Sequence, residues 1–89
     1  MLYFTEFKKI EEDESVYETT LHLREGLSPI FKIRAVRASN DLYGVVIRDN
    51  KTGHLLQSNF VNERHKTHND ALYAGIRLAK LLMKEMLND

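Results

Sequence analysis

Apolar positions along this chain keep two different periods, and the longest coherent run is the last. From Thr67 to Leu87 they recur at helical spacing. At about 100° per residue, Ala71, Leu72, Gly75, Ile76, Leu78, Ala79, Leu82, Met83, Met86 and Leu87 share an arc of about 180°. This predicts one long amphipathic helix over residues 68–87. Thr67, His68, Asn69 and Asp70 fit a capping box, in which the threonine oxygen accepts from an orphan amide while the carboxylate three residues on reaches back to the cap. Asp70 also complements the positive end of the helix dipole. Ala71, Gly75 and Ala79 make a small-residue centre. An interior glycine costs roughly 1 kcal/mol against alanine, so close approach to another element is the expected compensation. The polar remainder is a narrow strip of Tyr73, Arg77, Lys80 and Lys84, which leaves Leu81 exposed in a monomer. The shoulder Leu78, Leu81 and Leu82 is therefore the expected contact with a partner, either a second copy of the chain or another protein.

Before the helix the period is two. Strands are predicted over about 16–24, 30–37, 42–48 and 54–60. Their inward residues are Tyr17, Thr19, Leu21 and Leu23, then Phe31, Ile33 and Ala35, then Tyr43, Val45 and Ile47, and finally Leu56 and Phe60. Glu25 to Pro29, Ser39 to Asp41 and Asp49 to Gly53 supply the turns, the last as a type I turn followed by a left-handed glycine. Residues 2–10 read either as a short helix, because Phe4, Phe7 and Ile10 would share a helical face, or as an edge strand, with the helix slightly favoured. The whole is an α+β single domain over 1–89, an antiparallel sheet of three to four strands packed on one C-terminal helix.

Composition narrows the function classes. At 89 residues only about 60 to 65% of the unfolded chain's surface is buried, so stability is modest and association would help. There is no cysteine, which removes disulfides and thiolate metal sites. No apolar run approaches the roughly 18 residues of a membrane span, and the N-terminus lacks the basic-then-apolar order of a secretion signal, so the cytoplasm is the expected location. Thirteen bases balance thirteen acids, but residues 1–18 carry six acids and two bases, a net of −4 that leaves +4 on the remainder.

That basic excess bears on chemistry. If the strands pair as predicted, the uncovered sheet face presents Glu18, Thr20, His22, Arg24, Lys32, Arg34, Val36, Val46, Arg48 and Gln57, about +3 in all. Such a face can hold a nucleic-acid backbone, although no aromatic residue interleaves its cations as a stacking platform requires. The loop 62–68 adds Arg64 and Lys66 ahead of a helix N-terminus, which favours anions. Glu63, His65, His68 and Asp70 include histidines three apart but fall short of a complete tetrahedral metal set. There is no nucleophile elbow, phosphate-binding glycine loop or carboxylate pair, and one small sheet with one helix is not expected to enclose a pocket of several hundred Å³. The expectation is a non-enzymatic binding or regulatory protein without metal, cofactor or small-molecule substrate. It acts by self-association or protein contact, with nucleic-acid binding through Arg24, Lys32, Arg34, Arg48, Arg64 and Lys66 as the alternative.

The order of a short N-terminal element, strands and a final alanine-rich helix resembles the double-stranded RNA-binding domain. It departs from that pattern where paired lysines would start the helix, since Asn69 and Asp70 stand there. It departs again where Gly26, Leu27, Ser28 and Pro29 replace a Gly-Pro-x-His loop, and in having four strands rather than three. The hairpin followed by a helix also looks loosely like small HicB-type antitoxin folds, without a specific motif.

Overall fold

The computed structural model describes residues 2–10, 15–38, 41–58 and 65–87. The acidic stretch 11–14, the turn residues Ser39 and Asn40, the inward candidate Phe60, and Asn62, Glu63 and Arg64 lie outside the described residues. Of Gln57, Ser58, Met86 and Leu87 only the backbone is described. The strands are β1 (Tyr3–Phe4), β2 (Lys8–Lys9), β3 (Val16–His22), β4 (Pro29–Arg37), β5 (Tyr43–Asp49) and β6 (Leu55–Ser58), followed by the helix α1 (His68–Leu87). They form one antiparallel sheet in the order β1-β3-β4-β5-β6, with β2 also paired to the outer edge of β3. The helix lies across β3, β4 and β5, which makes the expected α+β fold.

Alternation decides which face the helix covers. Thr19 and Leu21 of β3, Phe31, Ile33 and Ala35 of β4, and Val45 and Ile47 of β5 are all buried under it. They meet Ala71, Leu72, Ile76, Ala79 and Met83. A Cβ at Gly75 would stand 2.5 Å from Cγ2 of Ile33 and 2.9 Å from Cγ1 of Val45, so the glycine is what lets the helix backbone settle onto β4 and β5. The threonine half of the expected capping box forms: Thr67 Oγ1 accepts from the Asp70 amide at 3.1 Å. The β5–β6 turn also follows expectation. Gly53 has φ +79°, and the Thr52 and Lys51 amides donate to Oδ1 of Asp49, holding its carboxyl below the usual carboxylate range.

Three expectations are corrected. The N-terminal segment is two short strands, the edge-strand reading, rather than the slightly favoured helix. Phe4 pairs with Leu21 and Lys8 with Glu18, so residues 5–7 carry one more residue than the β3 stretch opposite them, a β-bulge. The bulge turns Phe4 and Phe7 to the same face, which is why their spacing of three imitates a helix. Thr5 holds it in place. Its amide donates to Thr20 O at 3.0 Å, its Oγ1 accepts from the Thr20 amide at 3.0 Å, and its carbonyl accepts from the buried Thr19 hydroxyl at 2.7 Å. The likeness to the RNA-binding domain loses its first element accordingly.

Second, β3 stops at His22, two residues short of the expected end. A register shift pairs His22 with Pro29, the ring Nδ1 donates to Leu27 O at 2.6 Å, and Gly26 turns at φ +93°. Leu23, expected inward, is consequently exposed in the turn. Third, Leu56 is exposed because a bulge sets Leu55 against Arg48 and Gln57 against Ile47. Gln57, expected on the open face, thus pairs with a residue of the covered one.

Candidate functional site

Cross-strand register assembles the basic residues on the open face. One row runs Lys8, Glu18, Arg34, Val46, and its neighbour runs Thr20, Lys32, Arg48. Lys32 and Arg48 are direct partners. Arg34 is committed to Glu18, its Nε donating to the carboxylate at 2.7 Å, which removes one of the expected free cations. Arg48 reaches sideways, donating from Nη1 to Gly53 O at 3.1 Å. Arg24 is not on this face, because the strand ends before it, and Lys66 sits at the entry to α1, away from the ladder. Arg64 lies outside the described residues. Lys8, missed because its segment reads as helical, takes the place expected of Arg24 and keeps the face at about +3.

The helix shoulder is distributed differently from the expectation. Leu78 and Leu82 are half-buried against the core, whereas Leu81 is 59% exposed. Helical geometry sets Leu81 on the flank away from Tyr73, which turns toward β1, and so on the β5–β6 side. Arg77 and Glu85 stand one turn before and one turn after Leu81, both exposed, and neither has an ion-pair partner among the described residues.

The histidines of the candidate metal loop serve packing instead. The His68 ring lies flat on Tyr17, with centroids 3.6 Å apart and 6° between planes, and faces Tyr43 edge-on. His65 bridges to Tyr43 through its backbone. Among the described residues no group of three or more possible ligands is close enough to hold a metal ion. Among the described residues no helix is long and apolar enough to cross a membrane.

Sequence reasoning missed one feature entirely. Phe4, Phe7 and Tyr73 come together over the N-terminal half of α1, and with Thr5, Glu6 and Asn69 they line an open groove of about 350 Å³. It is a surface groove rather than an enclosed cavity. The spacing of Phe4 and Phe7 already puts the two on one face, but no local signal brings them to a tyrosine more than sixty residues away. Compared with known proteins, the chain matches no family model, no curated protein and no solved structure.

Proposed function

We propose that this protein is a non-enzymatic binding protein that self-associates through the outer flank of α1. The observation that carries the reading is Leu81, an aliphatic side chain 59% exposed on a helix where Leu72, Ile76, Leu78, Leu82 and Met83 are buried or half-buried. The charges around it fit a second copy. A two-fold axis through Leu81, with the helices antiparallel, brings Arg77 of one copy to the level of Glu85 of the other, twice by symmetry. Both groups are exposed and without ion-pair partners among the described residues, so the contact would add charge complementarity to the apolar centre.

Sedimentation over a tenfold concentration range tests this. The parent is expected to show a concentration-dependent dimer, Leu81→Lys a monomer of unchanged fold. Arg77→Glu and Glu85→Arg are each expected to weaken the dimer, and the double variant to recover it. A parent that stays monomeric, or single variants that behave as the parent does, would contradict the proposal.

The second reading is a nucleic-acid interface, favoured by the register that sets Lys32 beside Arg48 with Lys8 on the same face. It expects binding that weakens steeply with salt and is lost in Lys32→Glu/Arg48→Glu. Salt-independent binding, or retention by the double variant, would reject it.

A further inference from the structure

We infer that the groove bounded by Phe4, Phe7 and Tyr73 is a binding site for a quaternary ammonium group. The Phe4 and Phe7 rings stack 5.8 Å apart and within 26° of parallel, and the pair forms one side of the groove. Tyr73 stands at 87° to Phe4 and 69° to Phe7, with centroids 6.1 and 5.0 Å away, and makes a second wall nearly at right angles. Although the rings touch one another, Tyr73 is 47% exposed and Phe4 36% exposed. The volume of about 350 Å³ lies at the small end of ordinary ligand sites, which suits a single compact group rather than a peptide segment.

The choice of charge follows from the rim. Glu6 is exposed on the groove and has no hydrogen-bond or ion-pair partner among the described residues. A neutral apolar ligand would desolvate that carboxylate without compensation. A bare ammonium would give up strong hydration for few acceptors. A methylated ammonium spreads its charge over apolar surface, which matches ring faces that attract cations and a single carboxylate at the edge. Asn69, in the first turn of α1, brings the positive end of the helix dipole close. That end amounts to about half a charge, against the full charge of Glu6, and the Thr67 side chain already takes up one of its amides.

Choline and 3,3-dimethyl-1-butanol, its neutral isostere, separate cation recognition from simple apolar filling. Ring-proton shifts of Phe4, Phe7 and Tyr73 are read by NMR on the full chain. Choline is expected to move all three rings and to bind at least about tenfold more tightly than the isostere. Glu6→Gln is expected to weaken choline several-fold, and Tyr73→Leu to abolish the response while the amide spectrum stays folded. A short neutral peptide bearing trimethyllysine distinguishes the two sources of this chemistry: tighter binding than choline assigns a protein side chain, and equal binding assigns a small metabolite. Equal affinity for choline and its isostere, ring shifts absent at tens of millimolar choline, or Glu6→Gln binding as the parent does would each overturn the assignment.

Discussion

Replacing Gly75 by alanine sets two effects of known sign against each other. In an exposed helix the substitution stabilises by roughly 1 kcal/mol, because alanine loses less backbone freedom. Here the added Cβ would meet Ile33 Cγ2 at 2.5 Å and Val45 Cγ1 at 2.9 Å. Ordinary carbon contacts are at about 3.5–4.0 Å, so helix and sheet must part by about 1 Å at Ile33. Ile33 and Val45 are fully buried and β-branched, with little rotamer freedom to yield. Overpacking of this kind costs about 1–3 kcal/mol and often more when the backbone must move. The expected net is a loss of up to about 2 kcal/mol, at about 4–8 °C in Tm per kcal/mol for a domain of this size. Urea unfolding measures it. Repeating Gly75→Ala in an Ile33→Ala background should recover most of the loss, with a coupling of at least about 1 kcal/mol. A Gly75→Ala protein that is more stable than the parent would refute the close-approach account of this glycine.

Two other outcomes follow from the same contacts. Thr5→Val keeps the side-chain shape but leaves the Thr20 amide without its acceptor, and should cost about 1–3 kcal/mol in chemical denaturation; a change below about 0.5 kcal/mol would mean that the bulge is held by something else. Asp49→Asn tests the β5–β6 turn against pH. Because the folded carboxyl sits below its ordinary value, its stabilisation is present above the usual carboxylate range and is lost as pH falls through the lowered value. The parent's advantage over Asp49→Asn should therefore shrink on acidification below about pH 4, and a difference constant with pH would count against the amide contacts to Oδ1.

How much of this could be read from the chain depends on where the backbone keeps its period. The helix, its Thr67 cap, the Gly75 approach and the buried faces of β3, β4 and β5 all follow from unbroken periods of 3.6 or 2, and the structure agrees with each. The misreadings share a physical cause, a local slip of register. The bulge at residues 5–7 made strand residues look helical and hid Lys8. The irregularity at His22 removed Leu23 from the core and Arg24 from the open face, and the one at Arg48 moved Gln57 to the other set of positions. Bulges depend on hydrogen bonds between distant residues, such as Thr5 with Thr20, which no local pattern records. The aromatic groove was hidden for the same reason, since Tyr73 meets Phe4 and Phe7 only once the bulge is in place. Leu81 was legible because its exposure depends on helix geometry alone.

The central claim is that residue 81 of one molecule meets residue 81 of another across a two-fold axis. The chain contains no cysteine, so a single introduced thiol is an unambiguous reporter. Leu81→Cys and Lys80→Cys, the latter about 100° around the helix, should be oxidised under identical dilute conditions and the dimer fraction followed with time. Rapid disulfide-linked dimer from Leu81→Cys, with little from Lys80→Cys, is the predicted result. Equal rates for the two, or no linked dimer from Leu81→Cys, would contradict it.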